Sequence, residues 1–284
     1  MPTPRVAAIH DMSGFGRCSL TVVLPILSAM GVQCCPLPTA FLSTHTGGFE
    51  GFTFLDMTEE MPRVARHWKS LDLRFQAIYS GFLGSERQIG IVSDFIREFR
   101  HGDTVVVVDP VMGDQGRIYR TYTSAMCAGT ARLAEQADVI TPNLTEAALL
   151  LGIPYEALPA GEAGCREIAE RLSLGGRRSV VLTGASSAPE LTGAVCFDAG
   201  TGKTDLIQTR RVPREFLGTG DVFASVLTGA LVQGDTLPEA ARQAVEFIRA
   251  CAERTAAEDL PLRDGVDFEP LLGLLTMRCR QEIQ

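Results

Sequence analysis

Short apolar runs alternate along the chain with longer segments whose apolar residues recur at helical spacing. The strongest strand signal is "TVVVVDP", in which β-branched residues run on from Thr104 and turn residues follow. The clearest helical signal is 86–99, where Ile89, Val92 and Phe99 fall on one face. The pattern predicts strands at 6–9, 35–41, 77–80, 104–108, 137–143 and 177–184. It predicts helices at 20–30, 86–99, 144–151, 162–172, 219–232 and 238–255, and one that follows a capping-box pattern at Thr58.

Continuous apolar strands that alternate with helices indicate a parallel sheet covered on both faces. Near the C-terminal end, "GAVCFD" and "KTDLIQTRR" are joined by four turn residues and predict an antiparallel pair. The predicted fold class is therefore α/β, a three-layer α/β/α sandwich whose central sheet is mostly parallel. No linker, repeat or low-complexity segment interrupts residues 1–284, so we expect a single domain.

Composition narrows the classes of function. A net charge of −8 and a pI near 5.1 argue against a nucleic-acid partner. The eight cysteines are scattered without a C-x-x-C pair, which is typical of free thiols in a reducing cytosol. Residues 18–49 carry no charge, but prolines and glycines divide them into pieces too short to span a membrane. We therefore expect a soluble, cytoplasmic protein with no membrane partner.

Two segments resemble nucleotide-binding motifs but do not complete them. "GFGRCS" begins like G-x-G-x-x-G, but Ser19 stands at the third glycine position and no acid lies about 20 residues further on. "FDAGTGKT" ends like a P-loop, but Phe197 stands where the first glycine is required, and the segment lies in the predicted hairpin. These departures argue against a dinucleotide site and against a P-loop.

Polar residues follow nearly every predicted strand, at the edge where doubly wound sheets bind ligands. Asp109 and Asp114 follow the valine run, where they are either turn acids or ligands of a water-coordinated Mg²⁺. In "TPNLTE", Asn143 and Glu146 are either a capping box or a second pair of such ligands. These alternatives remain open on the residues alone.

The segment "REFLGTGDVFASVLTGALVQG" raises the same kind of choice. Asp221 in the first turn of a helix, with Thr219 as an N-cap, is ordinary capping chemistry. Alternatively, Gly218 and Gly220 let backbone N–H groups approach a phosphate while Asp221 accepts a proton.

Taken together, "GTGD" at the start of an apolar helix, with "DPVMGD" and "TPNLTEAALLLG" upstream, resembles the ribokinase-like superfamily. Within that superfamily, "STHTGG", "SGFLGS" and "DPVMGDQGRIY" are similar to motifs of the pyridoxal/pyridoxamine kinases. The resemblance covers about residues 5–255, with the motifs in the family's order. It implies a ribokinase-like fold and transfer of the ATP γ-phosphate to the 5′-hydroxymethyl group of pyridoxal, pyridoxamine or pyridoxine.

The resemblance also implies roles for individual residues. The base is Asp221, and the anion hole is formed by Gly218, Thr219 and Gly220. The vitamin pocket is lined by Asp11, His45, Thr46 and Phe82. Contacts on the ATP side come from Asp109, Asp114, Tyr119, Thr141, Asn143, Glu146 and Thr183, of which Asp109 and Glu146 hold Mg²⁺ or its waters. The family further implies K⁺ as a monovalent cation and a homodimer, with a small molecule as the partner.

Two positions depart from the family pattern. Asp11 stands where the family often has serine, and Phe82 where it often has tyrosine. An acid at position 11 favours a cationic vitamer such as pyridoxamine. The alternatives are a hydroxymethylpyrimidine kinase of thiamin synthesis, which shares the fold and the Asp221 chemistry, and a non-catalytic protein that binds vitamin B6.

Overall fold

The structure is a computed structural model, and it describes residues 3–258 and 260–276. Its strands, numbered in chain order, are β1 Arg5–Ser13, β2 Gln33–Leu42, β3 Phe54–Asp56, β4 Ala77–Ser80, β5 Val105–Val108, β6 Gly113–Asp114, β7 Arg117–Ile118, β8 Val139–Ile140, β9 Ser179–Ala185, β10 Leu191–Asp198 and β11 Lys203–Arg210. Its helices are α1 Leu20–Ala29, α2 Met61–Ser70, α3 Glu86–Phe99, α4 Ser124–Ala134, α5 Leu144–Leu151, α6 Gly161–Leu172, α7 Thr219–Val232 and α8 Leu237–Ala257.

Within the described residues, nine strands form one sheet in the order β11-β10-β9-β8-β5-β4-β1-β2-β3. The six strands from β9 across to β2 run parallel to one another. The antiparallel strands lie at the two edges, with β10 and β11 on one side and β3 on the other. The remaining pair, β6 and β7, forms a separate small hairpin.

Helices cover both faces of the sheet because the strands present apolar residues to both sides. The core on one face is built with α1, α7 and α8, and includes Val6 and Ala8 of β1. The core on the other face is built with α2 to α6, and includes Ala7 and Ile9 of the same strand. The predicted α/β class and three-layer arrangement are confirmed.

Several predicted elements differ from the observed ones. Thr58 does not cap α2: its side chain donates to Asp56, and the helix starts at Met61 without a side-chain cap. The strand predicted at 137–143 is limited to Val139–Ile140, because the following residues turn into the α5 cap. The strand β3, the hairpin of β6 and β7, and the helix α4 were not predicted.

Two findings bear on the class of protein. In the part of the chain that the structure describes, no helix is both long enough and apolar enough to cross a membrane. All seven cysteines within these residues are free thiols, as predicted, while Cys279 lies outside the described residues.

Candidate active site

The carboxyl ends of the central parallel strands and the start of α7 bring polar residues together at one edge of the sheet. Asp109 follows β5, and Thr141 follows the neighbouring β8, where the Thr141 hydroxyl donates to Asp109 Oδ1 over 3.0 Å. The pKa of Asp109 is raised by burial and, next, by the negative charge of Asp221. The rim predicted from the sequence therefore contains the predicted base and a predicted metal ligand.

Helix α7 begins with a backbone that a side chain would strain. Its N-cap is Gly218, with φ 77°, and not Thr219, which is the first helical residue. No side chain caps the helix. The interpretation of Thr219 as the N-cap is therefore wrong, while Asp221 does lie in the first turn of the helix, as predicted. The first N–H groups of α7 are not bonded by the Asp221 carboxylate.

Asp221 is held by another part of the chain. Its Oδ2 accepts a hydrogen bond from the Ser19 N–H over 2.9 Å, although the two residues are 202 positions apart. Burial raises the pKa of Asp221 from 3.8 to about 7, the Ser19 N–H opposes this, and the Asp11 charge adds to it. A carboxyl group whose pKa lies near neutrality is suited to accept a proton at physiological pH.

Ser19 is the site residue that the sequence analysis missed. It is the N-cap of α1 with φ 50° and ψ −134°, a conformation that favours glycine. The available signal was the incomplete G-x-G-x-x-G pattern, in which Ser19 occupies the position of the last glycine. That signal was used only to reject a dinucleotide site.

Asp11 is more enclosed than the prediction of a substrate contact suggests. It is 5% exposed, and its two oxygens accept from two hydroxyls, Oδ2 from Ser13 over 3.0 Å and Oδ1 from Ser19 over 2.6 Å. Burial raises its pKa, while the two hydroxyls oppose that rise. The geometry makes Asp11 an anchor for the loop after β1, and its contact with a substrate stays a prediction.

Asp109 and Glu146 form a buried acidic pair. They are 7% and 4% exposed, and burial followed by their neighbours' negative charge raises the pKa of both. Glu146 also accepts backbone N–H bonds from Met112 and Asn143, at 3.2 and 2.9 Å. Within the described ranges, no group of three or more acids, histidines and cysteines is placed so that it could hold a metal ion. Two carboxylates that repel each other fit Mg²⁺, which binds few carboxylates and keeps several waters.

Asn143 and Glu146 also form the capping box that was left open as an alternative. The Asn143 side chain accepts from the Glu146 N–H, and Glu146 accepts from the Asn143 N–H, each over 2.9 Å. The Asn143 amide further donates to the Gly113 carbonyl over 2.9 Å, which ties the β6–β7 hairpin to α5. The cap fixes the Glu146 carboxylate, so the structural role and a metal-binding role do not exclude each other.

The other predicted ATP-side residues surround this pair more loosely. Asp114 is exposed in the β6–β7 hairpin, and Tyr119, just after the hairpin, is 40% exposed with its N–H bonded to the Met112 carbonyl. Thr183 lies on β9, where its N–H and hydroxyl both donate to the Pro142 carbonyl. Their positions along one edge are compatible with a nucleotide, and their individual contacts stay predictions.

His45 and Thr46 lie in the loop after β2. His45 Nδ1 accepts from the Gly47 N–H over 3.0 Å, so Nε2 carries the proton and donates to the Arg263 carbonyl over 2.6 Å. Both nitrogens are therefore engaged, and the ring also makes an edge-to-face contact with Phe49, with the centroids 4.9 Å apart. Thr46 is exposed and lines a cavity of ≈ 560 Å³ together with Gly48, Phe49, Glu50, Arg120 and Arg263.

Phe82 follows β4 and is half-buried. Its ring packs against that of Tyr122 with the centroids 5.8 Å apart. The residue is therefore fixed at the rim, as a flat apolar surface that lacks the hydroxyl of a tyrosine.

The raised pKa of Asp221 predicts a pH-dependent difference in stability between the wild type and an Asp221→Asn variant. The folded protein holds a proton on Asp221 to about pH 7, while the unfolded chain releases it near 3.8, so the free energy of unfolding falls as pH rises between these values. Asparagine does not titrate, so the variant does not lose this free energy of unfolding as pH rises. We expect the variant to melt about 3 °C above the wild type at pH 8, which corresponds to roughly 1 kcal/mol in the free energy of unfolding at this chain length. At pH 4 we expect no such gain in melting temperature.

The measurement is thermal unfolding of the ligand-free proteins by circular dichroism at both pH values. The comparison of two proteins is needed because burial lowers the pKa of His10 to about 3, which changes the stability in the opposite direction. A difference in melting temperature that is the same at pH 4 and pH 8 contradicts the assignment of the raised pKa to Asp221.

Comparisons with known proteins show which family the chain resembles. The model of the phosphomethylpyrimidine kinase family matches residues 24–263. A pyridoxine/pyridoxal/pyridoxamine kinase of Bordetella avium is 30% identical over 91% of this chain and 90% of its own. A hydroxymethylpyrimidine/phosphomethylpyrimidine kinase of Haemophilus influenzae is 30% identical over 70% of this chain and 71% of its own. A structure from Bacteroides thetaiotaomicron, named as a phosphomethylpyrimidine kinase and solved with pyridoxal, superposes with a TM-score of 0.91 and 44% identity over 97% of this chain and 96% of its own.

Proposed function

Since the chain belongs to the phosphomethylpyrimidine kinase family, and is a kinase of ribokinase-like fold, we propose that it phosphorylates the 5′-hydroxymethyl group of vitamin B6. The predicted resemblance to that superfamily is confirmed. The observation that carries the proposal is Asp221, a half-buried carboxyl at the start of α7 whose pKa is raised to about 7. The kinase of Bordetella avium and the pyridoxal in the Bacteroides thetaiotaomicron structure support the substrate class.

In the proposed reaction Asp221 accepts the proton of the substrate hydroxyl at a carboxylate oxygen as that hydroxyl bonds to the γ-phosphorus of ATP. The bond from the γ-phosphorus to the bridging oxygen of ATP breaks, and ADP leaves with that oxygen. One oxygen of Asp221 already accepts from Ser19, so the other is available to the hydroxyl. The N–H groups of Thr219 and Gly220 lie at the positive end of the α7 dipole, where they stabilise the charge on the transferring phosphoryl group. Gly218 keeps the backbone there free of a side chain.

Asp109 and Glu146 would hold Mg²⁺, directly or through its waters. When bound, the metal neutralises phosphate charge on ATP. The acids themselves gain from the cation, because burial and mutual repulsion disfavour two negative charges there. Thr141 fixes one oxygen of Asp109, which leaves the other oxygen for the metal or its waters.

Phosphorylation of hydroxymethylpyrimidine is the second candidate function. The family model and the kinase of Haemophilus influenzae support it. Both substrates carry a hydroxymethyl group on a flat nitrogen heterocycle, so the same base and anion hole serve either. The non-catalytic alternative is disfavoured, since a protein that only binds the vitamin has no use for a base at Asp221.

A substrate panel tests the proposal. The purified protein is assayed with ATP, Mg²⁺ and K⁺ against pyridoxal, pyridoxamine, pyridoxine and hydroxymethylpyrimidine, and product formation is followed by liquid chromatography. We expect turnover of at least one B6 vitamer, with kcat/KM at least about tenfold above that for hydroxymethylpyrimidine, a difference of about 1.4 kcal/mol. Turnover of hydroxymethylpyrimidine alone would assign the protein to thiamin synthesis. Binding of a B6 vitamer without turnover would contradict the proposal that the protein is a kinase.

The same panel tests the expectation that Asp11 favours pyridoxamine. Both oxygens of Asp11 already accept hydrogen bonds from Ser13 and Ser19, so with the structure in hand we expect the opposite of that sequence-based expectation. Asp11→Asn should leave the preference between pyridoxamine and pyridoxine within about threefold, a shift of about 0.6 kcal/mol or less. A tenfold loss of preference for pyridoxamine in the variant would place the carboxylate in contact with the substrate amine. Omission of K⁺ in a parallel series tests the predicted monovalent cation.

A further inference from the structure

Ser19 connects two acids that are far apart in the sequence. Its N–H donates to Asp221 Oδ2 over 2.9 Å, and its hydroxyl donates to Asp11 Oδ1 over 2.6 Å. Within the described residues, the Ser19 N–H is the one hydrogen-bond donor that the Asp221 carboxylate has. The position of the carboxylate therefore depends on a residue outside its own helix.

The backbone of Ser19 is held in a conformation that serine rarely adopts. Its φ of 50° and ψ of −134° match the first central residue of a type II′ turn, which favours glycine. Rotation to an ordinary extended conformation would turn the N–H away from its present direction. The strain is balanced by contacts of the same residue, since its carbonyl accepts from the N–H groups of Val22 and Val23 and its hydroxyl is anchored.

The anchor is itself fixed. Asp11 is 5% exposed, and its second oxygen accepts from the Ser13 hydroxyl over 3.0 Å. Ser13 ends β1, so the carboxylate is tied to the central sheet. The path from the sheet to the candidate base is thus Asp11, then the Ser19 hydroxyl, then the Ser19 N–H, then Asp221.

We propose that Ser19 is a positioning residue for the phosphoryl transfer, which holds the Asp221 carboxylate against the substrate hydroxyl and is itself held in a strained backbone by Asp11. This inference rests on the proposed function, because it takes Asp221 to be the base. Ser19 does not touch the reacting atoms. Its loss therefore lowers kcat through the geometry of Asp221 and leaves substrate binding nearly intact.

The test compares Ser19→Ala with Ser13→Ala. Each variant removes one hydroxyl that donates to Asp11, but only Ser19 also contacts Asp221. We expect Ser19→Ala to lower kcat about tenfold further than Ser13→Ala does, with KM for ATP and for the vitamer changed less than about twofold. Thermal melting of both variants shows how much stability each loses with its hydroxyl.

A double-mutant cycle shows whether Ser19 acts through Asp221. Ser19→Ala is introduced into Asp221→Asn, and the residual kcat is measured. We expect the additional loss to be less than about twofold, because the group that Ser19 positions is already gone. An equal tenfold loss in both backgrounds would overturn the inference, as would equal kcat values for Ser19→Ala and Ser13→Ala.

Ser19→Gly is the variant to use where alanine does not fold, since glycine adopts φ 50° without strain. Glycine lacks the hydroxyl but does not need it to keep this backbone and its N–H in place, so we expect kcat to fall by less than about threefold. A folded Ser19→Gly protein that loses kcat about tenfold overturns the inference. Failure of the proposed function gives a different result: the single variant Asp221→Asn then keeps wild-type turnover.

Discussion

Replacement of Asp221 by asparagine is expected to lower kcat about 10²- to 10⁴-fold, the range in which a positioned general base contributes. Asparagine keeps the size of the side chain and still accepts from the Ser19 N–H, but it does not take the proton of the substrate hydroxyl. KM for ATP and the dissociation constant of the vitamer are expected to change by less than about threefold, because neither depends on proton transfer. Steady-state kinetics and isothermal titration calorimetry measure the two quantities.

The matched control is Asp103→Asn. Asp103 is an exposed acid before β5, at the opposite end of the strand from Asp109, and the substitution removes the same charge from the protein. Its kcat is expected to equal that of the wild type. An Asp221→Asn enzyme that turns over as fast as this control would show that Asp221 is a first-turn helix acid and nothing more. Retained vitamer affinity without any turnover in the wild type would instead favour the binding protein.

Elements whose signal is local could be predicted from the sequence. The bounds of α3, α5 and α7 and of β4 are those expected, because apolar spacing and flanking turn residues fix each of them within a few residues. The predicted antiparallel pair is β10 and β11, for the same reason. The edge strand β3 is three exposed residues long, so no alternation of apolar and polar positions marked it.

The site was predicted in part. A rule about the carboxyl ends of parallel strands was enough to place Asp109 and Thr141 at one edge of the sheet. Asp221 was assigned to the site by the "GTGD" motif and the family resemblance instead. The contact of Ser19 with Asp221 depends on how the loop after β1 meets α7, and no spacing in the sequence encodes it. The predicted single domain, homodimer and monovalent cation stay predictions.

The conformation of Gly218 predicts the second large effect. Its φ of 77° strains any other residue, and a Cβ there would lie 2.2 Å from the Arg17 carbonyl oxygen. That oxygen has little freedom to move, because the Arg17 N–H donates to the Asp264 carbonyl over 3.1 Å and its guanidinium forms an ion pair with Asp267 at 2.8 Å. Gly218→Ala must therefore displace either this loop or the start of α7.

We expect Gly218→Ala to lower kcat about 100-fold, the size of effect that a misplacement near 1 Å produces at a reacting centre. We also expect it to cost about 3 kcal/mol of stability, from backbone strain and the close contact together. Steady-state kinetics and urea unfolding measure the two effects. Gly234→Ala is the matched control, since Gly234 lies after the other end of α7 with φ 93° and no atom within 4 Å of its added Cβ.

The control separates strain from contact. Gly234→Ala is expected to cost only the strain, about 1–2 kcal/mol, and to keep wild-type kcat. The difference in kcat between the two variants then reports the close approach of the loop after β1 to the start of α7. If both variants lose the same stability and both keep full kcat, the backbone at Gly218 does not form the anion hole. If only Gly218→Ala loses kcat, the loop that carries Ser19 and the helix that carries Asp221 act as one unit, since the Arg17 carbonyl that the added Cβ would displace lies two residues before Ser19.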